Sequence, residues 1–204
     1  MKALSIGFAL GLLSSLGCSG EKSTPTGPAD ADAGASLTGI VAGGAFIARD
    51  AIVAESTTWK SGFYPGKSTV VLISDWPNLC SAIEAKVTPK ESRFIILDIT
   101  EVSAGAAQPI ANVGDYVRVT DYGDLSHARE FLPFYSHVDG NCGFNDGDAT
   151  AGALNLTDGS PSSPKGTLNL TFDDGGHISG SFSVSETCSG TAVDTYLNGN
   201  PSCG

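Results

Sequence analysis

The stretch 153–186 reads ALNLTDGSPSSPKGTLNLTFDDGGHISGSFSVSE, and its apolar residues recur at every second position. Leu154 and Leu156, then Leu168, Leu170 and Phe172, then Ile178, Gly180, Phe182 and Val184 fall on one face. Asn155, Thr167, Asn169, Thr171, His177 and the intervening serines fall on the other. A strand sends successive side chains to opposite faces, so this period marks half-buried strands over 153–157, 167–172 and 177–186. Between the last two, Asp173, Asp174, Gly175 and Gly176 tolerate the positive φ of a tight hairpin. The LNLT segment occurs twice, and two copies make a meander rather than a solenoid.

Working outward, further strands are expected at 37–41, 45–55, 69–74, 93–102, 115–121 and 129–138. TVVLIS (69–74) and FIIL (94–97) are nearly continuous apolar runs, which suits central strands covered on both faces. Pro133 cannot donate to a ladder and is expected at an edge or a bulge. One short helix is expected after residue 75, with Asp75 as its cap, Pro77 in the first turn, and Leu79, Ala82, Ile83 and Lys86 at helical spacing. About nine short strands with Gly and Pro turns argue for an all-β domain, an antiparallel β-sandwich or a partly open β-barrel.

Composition agrees. The 204 residues are 41% hydrophobic and 16% charged, with 26 Gly, 10 Pro and one Met, enough for a single domain over 37–204 with a real core. With 22 acidic against 11 basic residues the formal charge is −11, the opposite of what a phosphate backbone requires, so no nucleic-acid partner is expected.

The first seventeen residues have the layout of a secretory signal: Lys2, then the apolar run ALSIGFALGLL (3–13), then Ser14, Ser15, Leu16 and Gly17 before Cys18. An apolar run of this length is too short to span a bilayer, which takes about 20 residues. Gly17 and Cys18 resemble the lipobox of bacterial lipoproteins, although Ser15 stands where that motif usually has an aliphatic residue. The resemblance implies an acylated Cys18 as the first residue after processing, anchored in a membrane by its acyl chains. Ser19 after that cysteine resembles lipoproteins sorted to the outer membrane. Residues 18–36 hold no large apolar side chain and are expected to act as a flexible tether. The remainder is similar to small β-rich lipoproteins of Gram-negative envelopes, many of them without assigned activity.

Cys18 accounts for the odd cysteine count and leaves Cys80, Cys142, Cys188 and Cys203. In an exported chain these are expected to form two disulfides, with three connectivities open. Nearest-neighbour pairing would join Cys188 to Cys203 and Cys80 to Cys142. No C-x-x-C pair is present to favour zinc.

Chemistry-bearing clusters are few. DYGDLSHARE (121–130) crowds Asp124, Ser126 and His127 together, the residue types of a hydrolase, but neighbours in extended chain point apart and no G-x-S-x-G elbow is present. His127, His137 and His177 share no metal-ligand spacing and read as surface residues. Asp139, Asn141, Asp146 and Asp148 in DGNCGFNDGD (139–148) are hard-oxygen candidates for calcium, without the spacing of an EF-hand loop. Trp59, Phe63 and Tyr64 in TTWKSGFYPGK (57–67) are candidate anchors for a protein partner or a glycan, beside Lys60 and Lys67. The expectation is a lipid-anchored envelope protein acting as a binding or structural module, with a secreted hydrolase or a calcium-stabilised domain as alternatives. No cofactor is expected.

Overall fold

The computed structural model describes residues 36–56, 66–121, 125–184, 186–199 and 201–204. The signal segment, Cys18, most of the tether, and Trp59, Phe63, Tyr64 and Asp124 lie outside those residues. In chain order the elements are β1 (Thr38–Val41), β2 (Gly44–Ile47), β3 (Asp50–Ser56), β4 (Ser68–Ser74), α1 (Leu79–Ala85), β5 (Val87–Thr88), β6 (Arg93–Ser103), β7 (Ala106–Gln108), β8 (Gly114–Arg118) and β9 (Arg129–Val138). Then come β10 (Phe144–Asp158), β11 (Lys165–Phe172), β12 (His177–Ser183), β13 (Glu186–Thr187), α2 (Gly190–Asn198) and β14 (Ser202–Cys203). None of the described helices is long and apolar enough to cross a membrane.

The chain is mostly β, 56% strand against 10% helix. Twelve strands form one sheet in the order β13-β3-β4-β6-β9-β8-β10-β11-β12-β1-β2, with β7 beside β6. That sheet curls into a half-barrel, so it is one sheet rather than two packed ones. β5 and β14 pair separately. The expected antiparallel arrangement is corrected to a mixed one, because β13 runs parallel to β3, β14 to β5 and β8 to β9. The additional strands β5, β7, β13 and β14 have two or three residues each, too few for a period to register. The expected strand 45–55 is broken at Ala48 and Arg49, where the backbone N–H groups donate to Leu37 O at 2.9 Å and Ser74 O at 2.8 Å as the chain passes from one end of the sheet order to the other.

Curling gathers the inward faces into one core. Leu154, Leu156, Leu168, Leu170, Phe172, Ile178, Phe182 and Val184 are buried there with Val71, Ile73, Ile95, Leu97 and Phe131 from the other half. Each apolar residue so buried contributes roughly 1.5–3 kcal/mol. The two LNLT segments lie side by side, with Leu154 opposite Leu168 and Asn155 opposite Thr167. The hairpin at 173–176 closes with Phe172 N donating to Gly176 O at 2.8 Å and Gly175 at φ 82.

A second apolar layer explains the continuous runs of β4 and β6. On the outer face of β3, β4 and β6, the side chains of Ile52, Val70, Leu72, Phe94 and Ile96 are covered by Leu79 and Ile83 of α1 and by Val193 and Tyr196 of α2. α2 is a helix the sequence reading missed. It opens at Ser189, whose side chain accepts from Ala192 N at 3.4 Å.

Two further expectations are corrected. Pro133 sits in a central strand, opposite Leu97 of β6. Along its other edge β9 changes partner, from β8 at Glu130 and Phe131 to β10 from Phe134 onward, and Pro133 falls in the gap where no donor is required. Ala149, next in register after Asp148, gives its carbonyl to Arg118 Nη1 at 2.9 Å instead. Asp75 does not cap α1. Its carboxylate accepts from Arg93 N at 2.9 Å, and burial raises its pKa despite that bond and the nearby Arg93 charge.

The disulfides are Cys80–Cys188 and Cys142–Cys203, with Cα atoms 5.6 and 5.5 Å apart. Nearest-neighbour pairing fails because the nine residues of α2 separate Cys188 from Cys203. At 1.5 Å per residue such a helix is about 13 Å long, beyond the roughly 7 Å limit for a disulfide. β13 seats Cys188 over β3, where Cys188 N donates to Val53 O at 2.8 Å and its sulfur reaches α1. β14 pairs with β5 and brings Cys203 to the turn that holds Cys142.

Candidate functional site

Register decides which side chains meet on the outer face. Across β6, β9 and β10, Phe94 lies opposite Ser136 and Ser136 opposite Asp146, while Ile96 lies opposite Phe134 and Phe134 opposite Asp148. Directly opposed residues share a face, so these form two adjacent rows. The end of α2 passes over them, and Tyr196 and Leu197 with Gly199 and Pro201 complete the walls of a pocket of about 220 Å³. Four aromatic side chains line it: Phe94, Phe134, Phe144 and Tyr196. Phe94 and Tyr196 are 2% and 3% exposed and form the floor, whereas Phe144 at 40% and the exposed Asp146 form an open rim.

The floor is held rigidly. Phe94 packs edge-on to Trp76, with ring centroids 5.7 Å apart at 81°, and tilts against Tyr196 at 6.2 Å. The Tyr196 hydroxyl is hydrogen-bonded to Thr88 Oγ1, and burial pushes its phenol pKa up. The Cys80–Cys188 bond ties the start of α2 to α1, and the Cys142–Cys203 bond ties the segment beyond it to the turn before β10. Both ends of the pocket's lid are therefore covalently fixed.

A larger groove of about 650 Å³ lies at the other end of β6, between Glu101 and Arg129. Its charged groups are engaged within its own walls. Glu101 Oε1 accepts from Ala111 N at 2.9 Å, Asn112 N at 2.7 Å and Tyr116 Oη at 2.8 Å, and Oε2 accepts from Asn112 Nδ2 at 2.6 Å. Partial burial pushes the Glu101 pKa up, but those bonds outweigh it and hold the carboxyl below its ordinary value. Arg129 donates to Val113 O and stands over the Tyr116 ring, 5.8 Å from its centroid. This carboxylate is a clasp for the 109–113 segment.

The residues singled out from sequence are distributed otherwise. Ser126 and His127 do not point apart: residues 125–128 are not strand, and Ser126 Oγ is 3.0 Å from His127 Nδ1. Glu130, 1% exposed, places Oε1 3.4 Å from that same Nδ1 and accepts from His127 N at 2.7 Å. A Ser-His-acid relay needs serine on one ring nitrogen and the acid on the other, so this cluster cannot pass a proton along the ring. His137, expected at the surface, has a side chain only 13% exposed.

The calcium grouping does not assemble. Asp139 Oδ1 accepts from Asn141 N and Gly143 N, both at 2.8 Å, and these bonds hold its pKa below the ordinary value. Asp146 and Asp148 are two positions apart on β10, opposite Ser136 and Phe134. Among the described residues the acidic, histidine and cysteine side chains that converge closely enough for a metal are Cys80, Glu84 and Cys188, and the disulfide there leaves no thiolate.

The pocket residues were missed as a pocket because Phe94, Ile96, Phe134 and Ser136 read locally as strand residues, Phe144 and Asp146 as part of a polar loop, and the α2 residues as neither. Only Ser189 with Val193, Tyr196 and Leu197 at helical spacing carried a signal for α2. Neither a family model, nor a curated protein, nor a solved structure matches the chain.

Proposed function

We propose that this chain is a lipid-anchored protein of the bacterial envelope, held in the outer membrane by acyl chains on Cys18. Its curled sheet serves there as a partly open barrel that binds a small ligand in the aromatic pocket under α2. The signal-like segment and Gly17-Cys18 support the anchor, and two disulfides suit an oxidising compartment. A net charge of −11 gives no attraction to anionic lipid, so retention falls to the acyl chains.

The binding role rests on the pocket. Here about 220 Å³ between two covalently fixed elements stays open at a rim carrying an exposed Phe144 and Asp146.

Thermal-shift screening of the chain against small amphiphiles, cations and envelope glycans tests the binding role. A ligand at 100 times its Kd adds about 2.7 kcal/mol of stability. The expected hit loses its shift in Phe144→Ala; shifts that persist in that variant, or a silent screen, would overturn the pocket as the site. Palmitate labelling tests the anchor, and label retained in Cys18→Ser would remove it.

A further inference from the structure

We infer that the pocket selects an organic cation, an ammonium group with a compact apolar body of about the size of choline. The inference rests on the pocket being a ligand site and specifies what that site takes.

Aromatic rings carry an electron-rich face, and several of them around a small concavity form the composition that holds quaternary ammonium groups. Phe94, Phe134, Phe144 and Tyr196 provide four. Among the described lining residues the one charged side chain is Asp146, at the rim, and Asp148 follows on the same face of β10. Asp146 stands where a cation would enter. An anion meets no basic group among the described lining residues, only the Asp146 carboxylate and a chain of net charge −11. A sugar would want several hydrogen-bonding groups, but the Tyr196 hydroxyl is engaged by Thr88, which leaves the Ser136 hydroxyl as the polar side chain on the floor. At about 220 Å³ the space suits a single compact headgroup and not an acyl chain or an oligosaccharide.

Charge and shape can be separated with choline and its neutral isostere 3,3-dimethylbutan-1-ol, in which a tert-butyl group replaces the trimethylammonium. Both are titrated against the full chain in neutral detergent, with affinity read by calorimetry and the site by saturation transfer to the methyl protons. Choline is expected to bind about tenfold tighter than the isostere, a difference of ~1.4 kcal/mol that lies within the reach of cation–π and carboxylate contacts. Asp146→Asn should cut choline affinity several-fold and leave the isostere unchanged, and Phe144→Ala should weaken both. Equal binding of the two probes, or an Asp146→Asn variant that holds choline as well as the parent, would overturn cation selection while leaving the pocket a binding site. If neither probe binds, cation selection fails; the pocket itself fails when the wider screen is silent too, or when its shifts persist in Phe144→Ala.

Discussion

The backbone N–H of Leu79 donates to Asp50 Oδ2 at 2.7 Å, so the first turn of α1 is capped by a side chain from the start of β3. The local N-cap residue, Asn78, makes no side-chain cap and sits at φ 60. Asp50→Ala should therefore lower stability by about 1–2 kcal/mol, the usual cost of a lost cap. Asn78→Gly should leave it unchanged or raise it, because glycine meets no penalty at positive φ. Urea unfolding of the two variants beside the parent checks both signs.

The two disulfides should respond differently to reductant. Cys80 and Cys188 are 5% and 4% exposed, whereas Cys142 and Cys203 are half-buried. Graded reduction followed by alkylation and mass spectrometry should label Cys142 and Cys203 first. Replacing that pair by serine opens a loop spanning 61 residues, with an expected loss of about 4 kcal/mol in the chain-entropy picture. It also releases Pro201 from the pocket wall, so the ligand shift should shrink as well.

Alkaline pH should act through Tyr135. Burial, then the Asp174 carboxylate 3.3 Å from its hydroxyl, pushes this phenol up to about 12. A value raised on folding means a contribution intact below the unfolded pKa near 10 and lost as pH rises through the folded one. Between about pH 10 and 12, stability should fall more steeply in the parent than in Tyr135→Phe, as read by denaturant midpoints across that range.

Acid should act through Glu101 with the opposite sign. Its pKa is depressed on folding, so its contribution is present above the unfolded value near 4 and disappears as pH falls through the folded one. Glu101→Gln should be less stable than the parent at pH 7 and should show a shallower loss of stability below about pH 4. Amide exchange at Ala111 and Asn112 should rise in that variant, since both N–H groups donate to this carboxylate.

Alternation was legible wherever one strand faces a core and water. Leu154, Leu168, Leu170, Ile178 and Phe182 occupy the positions their period assigns. The runs in β4 and β6 were legible as doubly covered strands. Register was not legible, because a period tells which face a residue takes and not which residue it meets. β10 illustrates this: its fifteen residues pair with β8, β9 and β11, with a register shift between Ala149 and Ala151. Asp146 and Asp148 therefore read as a loop cluster, when pairing sets them beside Ser136 and Phe134. Pro133 misled for the same reason, since its tolerance depends on where β9 exchanges one neighbour for another. The cysteine pairing depended on α2, whose helical spacing is short, and on two two-residue parallel strands, which leave no periodic trace.

Cys188 and Cys203 both come later in the chain than all twelve strands of the large sheet. Neither native crosslink can close until every one of those strands has been delivered. The registers must be found by side-chain packing alone, and the sulfurs act afterwards as latches. During delivery from the N-terminal side, Cys80 and Cys142 meet before either true partner has arrived, and they are a pair the finished fold keeps apart. Faithful biogenesis then depends on timing: oxidation has to lag behind chain delivery, or an early Cys80–Cys142 bond has to be reopened by exchange.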